Sequence, residues 1–184
     1  MPSLARFFNA SLLLMAAGLG SAAQFSAEHE DGVYFISTAD SGKEVYEKLD
    51  FNLTLPEGLK PSEQSRKRYT YLPSGAYAEC DGTAVDENDF YSIAYDKFWF
   101  WCSNQGASNK LGKGIYAVKT SNTATFMCNT TPNPCNVNEW WESINTVGKK
   151  CTSSSKNWIE GGWTQIPSWH KSYGFTDVYA SFCV

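Results

Sequence analysis

The spacing of apolar positions predicts a well-defined helix near the middle of the chain's second half. Between residues 138 and 150, apolar side chains recur at helical intervals, and Asn138 is available as the N-cap. The positions on this face are Val137, Trp141, Ile144, Val147 and Cys151. Glutamates lie near the start and lysines near the end, as the helix dipole favours. We therefore expect an amphipathic helix over 138–150 with one face packed on a sheet.

A second helical pattern covers residues 86–102, where Asp86 can cap the N-terminus. The apolar positions with helical spacing are Phe90, Ile93, Ala94, Phe98 and Trp101. The aromatic run at 98–101 is apolar on both faces and is also compatible with a strand, because periodicity alone does not separate the two. A helix is favoured, since Asn104 and Gly106 follow as stop signals.

Strand patterns flank these helices. Residues 114–120 and 123–128 form a predicted hairpin, and residues 33–36 and 44–46 form another around a turn at 40–42. The later half of 173–183 has the pattern of a final strand, whereas 152–166 is rich in Ser, Gly and Trp and predicts a long loop. This order predicts an α+β fold, a small disulfide-stapled sandwich with two helices packed on one face of an antiparallel sheet.

Composition narrows the class of protein. The chain has 184 residues, a formal net charge of −4 and 15% aromatic residues. A chain so rich in aromatic residues is globular, and its mild acidity argues against binding to nucleic acid or to an anionic membrane surface. Beyond residue 23 no apolar run approaches the length of a membrane span. We expect a monomer without a membrane span.

The first 23 residues have the pattern of a secretory signal peptide. Arg6 supplies the positive region, and residues 12–19 form a short apolar run. Small residues at 21–23 place the predicted cut after Ala23. The protein is therefore expected to be secreted and extracellular.

A basic triplet predicts a second cut. Lys67 and Arg68 follow Arg66 in a polar stretch that contains Pro61, and kexin-type proteases of the fungal secretory pathway cleave after Lys-Arg. The cut would separate a pro-segment, 24–68, from a domain, 69–184, that carries all the cysteines. The hairpin within 24–68 either pairs with the domain as extra strands or belongs to a removable segment that assists folding. The second interpretation is favoured.

Six cysteines in a secreted chain predict a framework of three disulfides. They are Cys80, Cys102, Cys128, Cys135, Cys151 and Cys183. A zinc site is the rival interpretation, but there is no Cys-x-x-Cys pair, and His170 is the single histidine after residue 68. No metal or cofactor is therefore expected. Two N-glycosylation sequons begin at Asn52 and Asn129.

The arrangement of motifs around these cysteines resembles the killer-protein-four (killer toxin-like) fold family. The motifs are Cys80-Asp81-Gly82, the 101–106 segment, the 125–129 strand, Pro134-Cys135, Cys151, the 171–174 segment and Cys183. The family includes cysteine-rich virulence effectors secreted by plant-associated fungi. The resemblance implies the pairs Cys80–Cys151, Cys102–Cys135 and Cys128–Cys183. It also implies a toxin-like or effector activity.

Catalytic patterns in the sequence are weak. His170 could serve as the base of a small hydrolase, but Gly-x-Ser-x-Gly is absent. The acid pairs Asp86 with Asp89 and Glu139 with Glu142 are more simply charges at helix N-termini. A ribonuclease is disfavoured, because residues 69–184 contain one histidine and no arginine. We predict a protein without enzymatic activity.

Two groups of side chains are candidates for binding. The first is aromatic and lies between the second helix and the last strand: Trp158, Trp163 and Trp169. The second could form a cationic rim: Lys149, Lys150 and Lys171. Tryptophans can stack on sugars or anchor protein interfaces, although they can equally cover the core, and the lysines can equally be a solvated helix end.

These features predict a secreted, non-enzymatic effector or toxin-like protein that acts on a target cell surface or a host protein. The alternative is a secreted module that binds carbohydrate or cell-wall polysaccharide through the tryptophans. A small hydrolase that uses His170 is the third hypothesis.

Overall fold

The computed structural model describes residues 22–57, 59, 70–106, 111–151 and 157–183. The predicted signal peptide before residue 22 and the basic triplet with Lys67 and Arg68 lie outside the described residues. Everything that follows refers to the described part of the chain.

The described strands form one antiparallel sheet. They are β1 (Gly32–Thr38), β2 (Glu44–Leu49), β3 (Tyr77–Asp86), β4 (Gly114–Lys119), β5 (Thr123–Asn129), β6 (Trp158–Ile166) and β7 (Lys171–Asp177). The order across the sheet is β2-β1-β4-β5-β7-β6-β3, and every neighbouring pair is antiparallel. β2 and β3 are therefore the edge strands.

Two helices pack on one side of this sheet, which confirms the predicted α+β class. The first, α1, is a continuous helical segment over 87–106, and the second, α2, is Val137–Lys150. We call the side that they cover the inner face and the opposite side the outer face. The predicted hairpin over 114–128 is confirmed as β4 and β5, and the predicted hairpin over 33–46 is β1 and β2.

Three sequence-based assignments of strands differ from the structure. The predicted loop over 152–166 contains β6, because alternate residues of 158–166 pack on opposite faces of the sheet. The last strand lies at Lys171–Asp177, earlier than predicted, and the chain after it folds across the outer face. β3 has no counterpart among the predicted strands, since a bulge interrupts its alternation.

Helix α1 is not a regular α-helix throughout. It contains the π-helical stretches Phe90–Ala94 and Cys102–Gly106, between which Tyr95–Trp101 is α-helical. Asp86 caps its start, as predicted, by accepting a hydrogen bond from the Asp89 amide at 2.8 Å. The first π-helical stretch has a wider turn than an α-helix and therefore shifts the helical phase. As a result Phe90 and Ala94 are buried, while Ile93, predicted on the apolar face, is exposed.

Helix α2 begins slightly earlier than predicted. Asn136, and not Asn138, is its N-cap, and the Asn136 side chain accepts bonds from two amides of the first turn. Trp140 is fully buried, whereas Trp141, predicted on the packed face, is only partly buried. Ile144, Val147 and Cys151 are buried as expected. The apolar stripe is thus rotated by about one residue toward Trp140.

Apolar side chains form a core on each face of the sheet. The inner core lies under the helices and includes Phe90, Phe98, Trp101, Trp140 and Tyr173. The outer core is smaller and is closed by segments 22–25 and 178–183, which we call the outer layer. In this layer Ala23 and Phe182 exchange backbone hydrogen bonds of 3.0 and 2.9 Å. A signal-peptide cut after Ala23 would remove that pairing.

The bulge of β3 lies opposite two adjacent glycines of β6. Three residues, Asp81 to Thr83, oppose the single Gly161. A Cβ atom on Gly161 would lie 2.7 Å from the Thr83 hydroxyl, and one on Gly162 would lie 2.2 Å from the Glu79 carbonyl oxygen. The glycine pair therefore allows β3 to lie close against β6 at this point.

Three disulfides connect the layers. Cys80–Cys151 joins β3 to the end of α2, Cys102–Cys135 joins α1 to the segment before α2, and Cys128–Cys183 joins β5 to the outer layer. These are the pairs that the resemblance implies. The sequence separations of 71, 33 and 55 residues make each closed loop long.

Loss of the Cys80–Cys151 bridge is expected to destabilise the fold. Because the bridge closes a long loop, the double variant Cys80→Ala/Cys151→Ala should lose about 4 kcal/mol of unfolding free energy. Urea denaturation with a tryptophan fluorescence readout measures the change. A loss of unfolding free energy below about 1 kcal/mol would mean that this bridge does not lower the conformational entropy of the unfolded chain enough to stabilise the fold.

Candidate functional site

The outer face of the sheet is covered over only part of its width. The outer layer packs over β1, β4 and β5, where it buries Ile36, Ala117 and Phe126. Of the described residues at the β3–β6 edge, the outer core contains Trp163, which is partly buried, and no other. This edge of the outer face is therefore open, and we call it the open strip. It consists of Tyr77, Glu79, Asp81, Thr83, Trp158, Glu160, Trp163 and Gln165.

The side chains of the open strip are placed by strand alternation. Ala78 belongs to the inner core, and the Thr164 hydroxyl donates to the carbonyl oxygen of Ser143 on α2 at 2.8 Å. Their neighbours Tyr77, Glu79, Trp163 and Gln165 therefore lie on the outer face. Register agrees, because Tyr77 is opposite Gln165 and Glu79 is opposite Trp163.

Beyond the bulge the alternation is reset on both strands. Val85 and Ile159 are opposite each other and pack in or against the inner core. Trp158 and Glu160, their neighbours on β6, therefore lie on the outer face with the residues before the bulge. Without this reset, one half of the strip would point into the inner core.

Three aromatic rings are accessible along the strip. Tyr77 is 48% exposed and Trp158 is 46% exposed, while Trp163 is partly buried at the border with the outer core. Trp163 lies against Gly174 of β7, where a Cβ atom would meet the Trp163 Cβ at 2.6 Å. Rings fixed in this way on a sheet lose little conformational freedom on binding.

Carboxylates lie between the rings. Glu79, Asp81 and Glu160 are all partly exposed, and among the described residues none of them takes part in an ion pair. The Asp81 Oδ1 accepts bonds from the Thr83 amide at 2.8 Å and the Thr83 hydroxyl at 2.7 Å, while its Oδ2 is buried and has no partner among the described residues. The strip thus offers hydrogen-bond acceptors and negative charge beside aromatic surface.

The bulge holds its polar groups in place. The Thr83 hydroxyl lies 3.1 Å from the Thr176 hydroxyl on β7, so the bulge reaches across β6. The Asp177 amide also donates to the Thr83 hydroxyl at 3.4 Å. Asp81 is therefore positioned by a network that spans three strands.

The three tryptophans predicted as one binding group do not lie together. Trp158 and Trp163 are on the outer face, but Trp169 packs against the inner core next to a short 3₁₀ turn, Pro167–Trp169. The structure thus brings two of the three tryptophans to one face, and their role in binding stays a prediction. Glu79 and Tyr77 were missed, because β3 was not recognised as a strand from the sequence.

The predicted cationic rim is also not formed. Lys171 is buried, and its Nζ lies 2.7 Å from the Glu139 Oε2 and 3.1 Å from the Pro134 carbonyl oxygen. Lys150 is exposed, but its Nζ donates to the Ala78 carbonyl oxygen, while Lys149 is simply exposed. A buried lysine requires a charged partner, so Lys171 serves the fold and not the surface.

A buried polar network surrounds Lys171. The Tyr173 hydroxyl donates to the Glu139 Oε2 at 3.1 Å and accepts from the Asn136 amide at 3.1 Å. Burial raises the pKa of Tyr173 well above its usual value, and the Glu139 charge adds to this effect. Tyr173 therefore remains a neutral hydroxyl donor, and the network links β7 to the start of α2.

The remaining acids of the predicted pairs also have structural partners. The Glu142 Oε2 accepts hydrogen bonds from the Tyr71 and Leu72 amides, the latter at 3.0 Å, and Asp86 caps α1. Burial raises the pKa of Asp89, and the nearby charge of Asp86 raises it further. The Glu142 and Asp86 carboxylates therefore hold backbone segments in place.

His170 lies at an exposed turn in a left-handed backbone conformation with φ of 54°. Its carbonyl oxygen accepts bonds from the Thr130 amide at 3.0 Å and the Thr130 hydroxyl at 3.2 Å. Among the described residues, no hydrogen bond to its imidazole ring is found. The structure thus assigns His170 a backbone role.

A cavity of about 460 Å³ opens on the same outer face, near the β2 edge of the sheet and away from the open strip. Ile36, Thr38 and Glu44 of the first hairpin line one wall, and Lys113, Ile115 and the Cys128–Cys183 bridge line the other. Among the described residues, no cluster of three or more side chains suited to a metal ion is found. Nor does the described part contain a helix long and apolar enough to cross a membrane.

Comparison with family models, with curated proteins and with solved structures finds no match to this chain. The resemblance to the killer-protein-four family therefore remains a prediction.

Removal of the Glu139 charge should destabilise the protein strongly. Glu139→Gln leaves Lys171 buried without a counter-charge, and we expect a loss of about 3–5 kcal/mol in unfolding free energy. The matched control is Glu30→Gln, which breaks the exposed 2.6 Å pair with Lys48 and should have no measurable effect. Equal effects of the two substitutions in urea denaturation would contradict the structural role of the buried pair.

The two sequons should differ in occupancy. Asn129 is 3% exposed, and its Nδ2 donates to the Asn133 carbonyl oxygen at 3.1 Å, so this nitrogen cannot carry a glycan in the fold. Asn52 is exposed. Peptide mapping of the secreted protein should therefore find glycan at Asn52 and none at Asn129. A glycan at Asn129 would mean that the chain around β5 folds differently.

Proposed function

We propose that this protein is a secreted, non-enzymatic binding protein of the effector or toxin-like kind, which docks a target protein on a host or competitor cell through the open strip. The observation that carries the proposal is the alternation of three aromatic rings with three carboxylates on an uncovered part of a rigid sheet. Rings of this kind dominate protein-binding energy when a partner buries them.

The chemistry of the strip favours a basic partner. Glu79, Asp81 and Glu160 have no cationic partner in the described chain, and the whole chain carries a net charge of −4. Lysine or arginine side chains of a target could pair with these carboxylates and pack their cationic groups on Trp158 or Tyr77. Charge complementarity of this kind increases the rate of encounter and selects the partner.

The rest of the molecule supports a role in presenting this surface. The three disulfides and the buried Glu139–Lys171 pair hold the helices and the sheet together. The acidic side chains considered for catalysis, Asp86, Glu139 and Glu142, stabilise helix ends and chain junctions. A binding function needs such a rigid support more than it needs a reactive group.

Binding to cells tests this proposal. The labelled protein should bind intact plant or fungal cells saturably, and Trp158→Ala should weaken binding about thirtyfold or more, as loss of a hot-spot residue does. Charge reversal with Glu79→Lys/Glu160→Lys should also abolish binding at low salt. Tyr91→Ala is the matched control, because Tyr91 is 49% exposed but belongs to α1. Equal affinity of the Trp158 variant and the wild type would exclude the open strip as the binding surface.

A carbohydrate-binding module is the second candidate. Aromatic rings stack on sugar faces, and the partly exposed carboxylates of Glu79 and Glu160 can accept hydrogen bonds from sugar hydroxyls. This function predicts retention on chitin or glucan resin that is lost with Trp163→Ala and kept with Trp169→Ala, since Trp169 lies on the inner face. A protein-binding function predicts no retention by either resin.

A further inference from the structure

The predicted pro-segment is part of the folded body. β1 lies between β2 and β4 in the sheet, and its register with β4 runs from Gly32 opposite Lys119 to Ile36 opposite Ile115. The segment before the basic triplet thus supplies an internal strand as well as an edge strand. Its backbone hydrogen bonds with β4 satisfy groups that would otherwise be unpaired.

Strand β1 of the hairpin is buried on both faces. Val33 packs in the inner core, while Tyr34 and Ile36 pack in the outer core. Phe25 extends this contact, with ring centroids 5.1 Å from Tyr34 and 5.6 Å from Phe182. The apolar surface that the segment covers therefore belongs to both layers of the domain.

Charged and aromatic contacts lie at the margins of this interface. Asp31 precedes β1 and lies 3.2 Å from the Nζ of Lys119, whose side chain is almost buried. Beyond β2, Phe51 packs against the ring of Phe100 on α1, with centroids 5.6 Å apart. Departure of the segment would leave Lys119 without this counter-charge.

The chain on each side of the basic triplet has contacts of its own, which do not depend on the peptide bond after Arg68. Upstream, Phe51 and Leu53 pack against the inner core. Downstream, the amides of Tyr71 and Leu72 donate to the Glu142 carboxylate, and Leu72 is buried. A cut after Arg68 would therefore break none of these contacts.

Removal of the segment would leave the 69–184 domain without part of its strand pairing and part of its apolar packing. β4 would become an edge strand with unpaired backbone groups, and the buried side chains Ala117 and Val118 would lose Tyr34 and Val33, which lie opposite them on β1. No disulfide can hold the segment, because all six cysteines follow Arg68. Retention must therefore come from strand pairing and apolar contact.

We propose that residues preceding the basic triplet stay bound to residues 69–184 after cleavage, so that the mature protein is a two-chain assembly without a covalent link. On the 69–184 piece, the interaction surface is the edge of β4 that pairs with β1, together with the outer core. Its partner on the cleaved piece is the β1–β2 hairpin with Phe25. The sequence alone favours removal of the segment, whereas this proposal has the segment retained.

Native and denaturing analysis of one sample tests the proposal. The protein is secreted from a host with a kexin-type protease, or the purified chain is cut briefly with trypsin at the triplet. A single gel-filtration peak should contain both pieces, and denaturant without reductant should separate them. Lys67→Ala/Arg68→Ala, which removes the Lys-Arg pair, should stay one chain in the secretion arm. A peak of folded 69–184 without the upstream piece would overturn the proposal, as would a triplet that neither protease cleaves.

A weakened interface provides an independent measurement. Phe25→Ala removes a buried ring and should raise the dissociation constant of the cleaved piece at least about a hundredfold, measured by dilution and gel filtration. Val45→Ala is the control, because Val45 on β2 is 49% exposed. Equal retention in the two variants would overturn the assigned interface. The wild-type experiment remains decisive if Phe25→Ala does not fold.

Discussion

Burial of the central strands on both faces is the interaction on which the rest of this structure depends. β1, β4 and β5 lie between the helices and the outer layer, and residues of the inner and outer cores alternate along them. A strand buried on both faces needs every backbone group paired, so β4 requires β1 beside it. The first hairpin is therefore a component of the fold, although it precedes the cysteine framework.

The same constraint produces the open strip. Short terminal segments close the outer core over the middle of the sheet, and they do not extend across β6 to β3. The β3–β6 edge is thus packed on its inner face only, and its outer face carries rings and carboxylates in place of a continuous apolar surface. An edge strand with charged residues and a bulge also resists pairing with other chains.

Polar chemistry in the inner layer serves stability. Lys171, Glu139 and Tyr173 form one buried network, and Glu142 fastens the chain that follows the basic triplet to α2. Each of these residues looks like a surface or catalytic candidate when only its type and neighbours in the sequence are known. Their partners come from segments more than 30 residues away, and no local pattern reveals such contacts.

The sequence by itself determined the class of fold, the number of cysteine pairs, the hairpins and the approximate limits of both helices, because these follow from local periodicity and turn residues. The tertiary structure alone decided which faces those elements present. The π-helical turn moved Ile93 to the surface, and the bulge at Asp81 reset the alternation of β3. Strand β6 placed Trp158 and Trp163 on the outer face, whereas the turn after it placed Trp169 against the inner core. These outcomes depend on contacts between distant segments, which a pattern along the chain does not contain.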